Sequence, residues 1–197
     1  MSNIVVQKFG GTSLADTDRF KAVAKIIKDT SNKGKKVVAV VSAMAGETQR
    51  LIDLAKKVQE TPDPREYDAL ISSGEQVSVA LLAMTLRNEK VNSKSYTAFQ
   101  LGLRTDDYHG KARINSIDTK NILKDISADI IPVITGFQGV NEEGDITTLG
   151  RGGSDTSAVA LAVALDAEEC QIYTDVNGVY TTDPNVYEKA KKIDKLT

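Results

Sequence analysis

Two stretches of this chain each join a cation to a pair of glycines: Lys8-Phe9-Gly10-Gly11-Thr12-Ser13 and Arg151-Gly152-Gly153-Ser154-Asp155. Adjacent glycines let backbone N–H groups approach an anion with no Cβ in the way, and a helix starting just beyond adds the positive end of its dipole. Lys8 brings a mobile charge suited to phosphate. Arg151 brings a planar fork that can grip a carboxylate at two points, and Ser154 is placed to cap the helix that follows. The first stretch is neither the spaced-glycine dinucleotide fingerprint nor the phosphate loop with its Gly-Lys-Ser/Thr ending. The same six residues would also make an ordinary tight turn with a surface lysine.

Other polar residues sit where strands should end. Ser42 and Thr48 follow the run Val37 to Val41, and ligands in open α/β sheets sit beyond the carboxyl ends of strands; hydroxyl residues beside a helix start also serve as caps. Glu75 follows Gly74 inside a helical stretch. A glycine there costs about 1 kcal/mol against alanine, which points to a break or a close approach. Glu75 is then either a solvated helix residue or an acceptor for an ammonium group. Thr174, Asp175 and Tyr180 suit the base and ribose of a nucleotide, or an ordinary turn. His109 is the one histidine and reads as a polar loop residue; no spacing resembles a zinc site, so no protein-held metal is expected.

The elements that must position these residues alternate. Ile4-Val5-Val6 reads as a strand, and Asp16 caps a helix whose Phe20, Val23, Ala24 and Ile27 share one face. Val37 to Val41 is an unbroken apolar run, as in a parallel sheet covered on both sides. Leu51, Leu54, Ala55 and Val58 mark the next helix. Arg65 to Glu89 is helical with Tyr67, Leu70, Ile71, Val77, Leu81 and Met84 as its apolar side. Ser95 to Phe99 reads as a strand, Gln100 to Ser116 as polar and irregular, and Asp118 as the cap of a short helix. Val133 to Phe137 is a strand that Pro132 opens, Asn141 to Asp145 a hairpin tip, Ala158 to Leu165 a helix, and Glu169 to Asp175 a strand. Val186 to Thr197 shows no cap or final strand.

Composition narrows the class. With 25 basic and 27 acidic residues, a net charge of −2 and no basic patch, neither nucleic acid nor an acidic membrane is an expected partner. Lys33-Gly34-Lys35-Lys36 is a solvated connection. Cys170, the only cysteine, excludes an intramolecular disulfide and reads as a buried structural thiol from a reducing compartment. No apolar stretch approaches bilayer length and no signal peptide is seen, so a cytoplasmic protein is expected.

Taken together, the two glycine stretches, Ser42-Ala43-Met44, Gly74-Glu75, Gly136-Phe137-Gln138-Gly139 and Thr174-Asp175-Val176-Asn177-Gly178-Val179-Tyr180-Thr181-Thr182-Asp183-Pro184 resemble, in this order, the aspartokinase family. The resemblance implies the amino-acid kinase fold, a three-layer α/β/α sandwich with a mostly parallel open sheet, here C-terminally incomplete. It implies ATP- and Mg²⁺-dependent phosphorylation of the side-chain carboxylate of L-aspartate, the first step toward lysine, threonine and methionine. By matching position, Lys8 sits on the transferring phosphoryl group with Gly10 and Gly11 donating N–H groups, and Asp155 orients Lys8. Thr48 and Ser154 hold the reacting carboxylate, Arg151 the α-carboxylate and Glu75 the α-ammonium. Thr174, Asp175 and Tyr180 line the nucleotide site.

Two departures stand out. Asn185 occupies a position where the family often carries arginine. Family kinase domains also continue past the position of Thr197 and add paired ACT regulatory domains, so residues 1–197 read as the N-terminal majority of a catalytic domain. An unfinished sheet would expose an apolar edge and favour a homo-oligomer. Other readings are a fragment that binds aspartate or a partner without turnover, and a kinase of the same fold acting on another acid, such as N-acetylglutamate. Glu75 separates the last, because it suits a free α-ammonium and not an acylated nitrogen.

Overall fold

The computed structural model describes residues 2–175, 178–182, 186–187 and 189–193. Strands β1 (Ile4–Phe9) and β2 (Lys36–Val41) contain the two apolar runs, β1 continuing beyond Val6 through Gln7 and Lys8, and are buried throughout except at Lys36. With β3 (Ser93–Tyr96), β6 (Ile131–Thr135) and β9 (Glu169–Tyr173) they form a five-stranded sheet in the order β3-β6-β2-β1-β9. Every pairing in it is parallel. Pro132 is the second residue of β6, one later than expected; β2 pairs with β6 only from Val133, so the missing N–H of Pro132 costs that ladder nothing.

Side chains alternate across a strand, so the sheet has two apolar faces. Phe9, Val37, Ala39, Val41 and Val133 pack on helices α1 (Thr17–Asn32) and α4 (Ser73–Asn88). Val6, Val38, Val40 and Ile134 pack on α6 (Lys120–Ser127) and α7 (Gly153–Ala164). A mostly parallel sheet thus lies between two helical layers. The same alternation puts Lys8 on the face of Val6, toward α7.

Several local expectations hold. Asp16 Oδ1 accepts from the Arg19 N–H at 2.8 Å, and α1 buries Phe20, Val23, Ala24 and Ile27. Others do not. The second glycine of the first pair begins a 3-10 turn, Gly11–Leu14, that precedes α1, and the start of α1 is already capped by Asp16, so the dipole end of α1 is not open toward the glycines. Helix α2 (Glu47–Val58) buries Leu51 and Ala55 but leaves Leu54 and Val58 exposed. Asp118 lies one residue outside the cap position of α6, although its Oδ1 accepts from the Lys120 N–H.

The stretch read as one helix from 65 to 89 is α3 (Pro64–Ile71) followed by α4, broken at Ser72. Val77 and Met84 are exposed, and α4 buries Glu75, Ser78, Val79, Leu82 and Leu86 instead. The helix is apolar on both faces, so periodicity alone selects the wrong one. Pro64–Asn88 together run 25 residues, long and apolar enough by length and composition to cross a membrane, contrary to the sequence expectation. Half of an apolar 18-residue portion of it is buried inside the protein, where α4 packs on α1, β3 and β6.

The segment expected to be irregular carries a second sheet. A short helix α5 (Ala98–Leu101), which contains Phe99, leads to β4 (Leu103–Thr105) and β5 (Ile114–Ile117). These join β7 (Gln138–Val140) and β8 (Ile146–Thr148) in the order β5-β4-β7-β8. Strands of three or four residues are too short to show a period of two. β7 and β8 pair antiparallel around Asn141 to Asp145, the hairpin tip read from sequence. A last antiparallel pair, β10 (Val179–Tyr180) with β11 (Lys192–Ile193), falls partly where no final strand was expected.

Gly74 marks a close approach: a Cβ there would lie 2.8 Å from the Ala43 Cβ. Gly74→Ala should therefore destabilise the fold by about 1–3 kcal/mol despite the better helix propensity of alanine. Thermal melts of the two proteins measure this; a stabilised variant would refute the contact.

Candidate active site

The carboxyl ends of four parallel strands meet at one place. The Gly10 N–H donates to Tyr173 O after β9, Ser42 N–H to Phe9 O after β1, and Gly136 N–H to Val41 O after β2. Polar residues that the sequence scatters from Lys8 to Asp175 thereby share one rim. A cavity of about 600 Å³ opens on it, lined by Lys8, Thr48, Glu75, Arg151, Ser154 and Asp155 among others. A second, of about 430 Å³, is lined by Gly10, Gly11, Thr174 and Asp175. Lys8, Ser42 and Thr48 belong to both.

Lys8 is the hinge between them. It is buried to 8% exposure, and its Nζ lies 2.6 Å from Asp155 Oδ1 in the first turn of α7. A buried ammonium needs such a counter-charge. Gly11 packs so tightly that a Cβ would come within 2.9 Å of the Ala43 carbonyl oxygen. The second glycine stretch does place an uncapped helix start on the cavity, from Gly152 at φ +74°. The cap position is Gly152, not Ser154, which is already inside α7 and buried. A left-handed glycine ends the preceding turn and starts the helix two residues early. Arg151 is exposed on the cavity wall and has no ion-pair partner among the described residues.

Glu75 is not solvated. It is 2% exposed; Oε1 accepts from the Ala43 N–H at 3.0 Å and the buried Oε2 has no hydrogen-bond partner among the described residues. Burial pushes its carboxyl up to about 7, against the opposing pull of that N–H. Thr174 and Asp175 are exposed beyond β9, with Thr174 Oγ1 donating to Asp175 Oδ1 at 3.0 Å. Tyr180 lies on β10, and its side chain, like Asn185, falls outside the described residues. Burial also raises the Cys170 thiol, which makes it a poor nucleophile.

Sequence reasoning missed part of the wall. Tyr67 and Ile71 reach it from α3, Gly110 from the loop before β5, and Phe137 from the bend after β6. Phe137 has φ +69°, rare for a large residue; its N–H donates to Ser157 Oγ and its carbonyl accepts from Leu149. His109, read as a plain loop residue, has Nδ1 2.9 Å from the fully buried Asp68. Nothing in the spacing of 68 and 109 announces that pair.

This strand-end arrangement is that of a known class. The chain belongs to the amino acid kinase family, whose model matches residues 3–197. Within it, the chain's relatives include aspartate kinases. The chain is 57% identical over 194 residues to the aspartate kinase Ask_LysC of Stutzerimonas stutzeri, covering 98% of this chain and 47% of that protein. It is 52% identical to the aspartokinase of Geobacillus stearothermophilus, covering 98% and 48%. Escherichia coli aspartokinase III in complex with aspartate and ADP superposes with a TM-score of 0.86 at 31% identity, over 97% of this chain and 53% of that one. The chain spans about half the length of these curated relatives.

The raised Glu75 carboxyl has a sign in stability. Between its usual value of 4.5 and about 7 the folded chain binds a proton that the unfolded chain releases, so the stabilisation present at low pH is lost as pH rises through that window. Glu75→Gln, which keeps an acceptor for Ala43, should gain on the order of 3 kcal/mol relative to wild type on going from about pH 4 to about pH 8 in ligand-free protein. Thermal melts at both pH values check it; parallel curves would contradict the burial argument.

Proposed function

We propose that this chain is the N-terminal majority of an aspartate kinase catalytic domain, transferring the γ-phosphoryl group of ATP to the side-chain carboxylate of L-aspartate, the first step of the aspartate-derived amino-acid pathway. The observation that carries the reading is the meeting of two cavities at Lys8. One has an arginine fork and a buried carboxylate with a free oxygen, complementary to an amino acid's two charged ends; the other has a glycine turn suited to phosphate. The aspartate and ADP of the Escherichia coli relative support it further.

In this reading a carboxylate oxygen of aspartate attacks the γ-phosphorus, the bond to the β,γ-bridging oxygen breaks, and ADP leaves. The nucleophile is ionised at neutral pH, so no general base is needed, and positioning with charge neutralisation does most of the catalysis. Glu75 accepts from the α-ammonium, Arg151 grips the α-carboxylate, and Thr48 and Ser154 hold the reacting carboxylate. Gly11 donates its N–H group to phosphate, Asp155 orients Lys8, and Lys8 meets the charge that develops on the phosphoryl oxygens; the Gly10 N–H, expected to act beside it, is instead taken by the Tyr173 carbonyl. Thr174, Asp175 and Tyr180 line the nucleotide site. Mg²⁺ would neutralise phosphate charge. Among the described residues no three His, Cys, Asp or Glu side chains cluster to hold a metal, so the phosphate oxygens would supply most of the ion's ligands.

Hydroxamate trapping of an acyl phosphate from ATP, Mg²⁺ and L-aspartate by the full-length protein tests the reaction. Lys8→Ala should lower kcat by about 100-fold or more, and Arg151→Ala should mainly raise the KM for aspartate. Wild-type kinetics in both variants would refute the roles. Self-association is proposed through the β9 edge and the exposed Val159 and Val163 of α7. Light scattering of the 197-residue chain should show mass rising with concentration; a monomer at all concentrations would exclude it.

A further inference from the structure

We propose that Asp68 is a positioning residue that fixes the Arg151 wall of the aspartate cavity, an inference that rests on the kinase reading above. Asp68 is on α3 and is fully buried. Its Oδ2 accepts from the Thr148 N–H, the Gly110 N–H and His109 Nδ1, each at 2.9 Å, and its Oδ1 accepts from Thr148 Oγ1 at 2.7 Å. One carboxylate therefore ties α3 to two separate segments, the loop before β5 and the end of β8.

Both segments are cavity wall. Gly110, Thr148, Gly150 and Arg151 line the same space as Glu75. The Gly110 carbonyl presses on the turn that carries Arg151: a Cβ at Gly150, where φ is +78°, would come within 2.9 Å of it. Since Arg151 has no ion-pair partner among the described residues, where its guanidinium can reach is set by its main chain. That main chain is held on one side through Thr148 and on the other through Gly110, and both lead to Asp68. Four donors around one buried carboxylate exceed what packing α3 requires. An apolar residue of similar volume would spare the desolvation cost of the charge. Nearby, Arg65 Nη2 lies 2.6 Å from Asp145, a partly exposed pair joining α3 to the β7–β8 hairpin without touching the cavity wall.

The test compares Asp68→Leu and Asp68→Asn in the full-length protein. Leucine removes every acceptor. Asparagine can keep the oxygen at Oδ2 while the Thr148 hydroxyl turns from donor to acceptor, so it should rescue. The expected result for Asp68→Leu is an aspartate KM raised about tenfold or more, with the nucleotide KM and kcat within about threefold, and faster hydrogen exchange of the 148–153 amides without ligand. Should Asp68→Leu fail to fold, His109→Ala should give a smaller shift in the same direction, restored by His109→Asn, whose amide nitrogen replaces Nδ1. A lower melting temperature with unchanged aspartate KM and unchanged exchange would overturn the proposal, as would equal losses in both KM values and kcat. If the wild-type protein forms no acyl phosphate from aspartate, the kinase reading fails by itself, and exchange of the 148–153 amides still decides whether Asp68 holds that wall.

Discussion

The contact between Lys8 and Asp155 is the constraint around which this molecule is arranged. An ammonium group at 8% exposure cannot sit against an apolar sheet unless a carboxylate reaches it, and that carboxylate lies 147 residues away in sequence. To bring the two together, β1 must present Lys8 on its α7 face and α7 must start at the carboxyl end of the sheet. The strand alternation and the left-handed glycine at 152 meet those two conditions. What the pair leaves is a positive charge held where two cavities join, neutral enough to be buried and close enough to the surface to meet an anion.

The rest of the rim follows from the parallel sheet. Because β9, β1, β2 and β6 run the same way, their following turns stack side by side, and those after β1, β2 and β6 are each hydrogen-bonded to the end of a neighbouring strand. Small residues are needed at these crossings: Gly136 faces Ser154, and Gly153 faces Phe137, with less than 3.0 Å for an added Cβ in each case. Glycine is used here for proximity. The chemistry-bearing residues are close to one another because the backbones beneath them nearly touch.

The parallel sheet was legible in the sequence because Val37 to Val41 and Ile4 to Val6 are apolar runs covered on both faces, which leaves no polar alternation to confuse; that β1 runs on through Gln7 and Lys8 to Phe9 was not. The polar rim was legible for the same reason that family resemblance works: glycines and charges in short fixed spacing. Phasing of α4 was not, since Val77 and Met84 advertise one face while Ser78 and Glu75 occupy the buried one. There, a buried polar site outweighs hydrophobic periodicity, and only tertiary packing reveals it. The second sheet was hidden by strands of three and four residues, and the Asp68–His109 contact by a separation of 41 residues with no local pattern at either end.

Glu75 also makes the cavity a store of protons. A carboxyl held at about 7 is about half protonated at neutral pH while the cavity is empty. A cationic group docking on its free oxygen favours the ionised form. Occupancy by a zwitterion would then expel a fraction of a proton into the buffer, and the heat of binding near neutrality would contain the buffer's own ionisation enthalpy. The desolvation that makes this acid costly to keep thus turns ligand entry into a proton-releasing event.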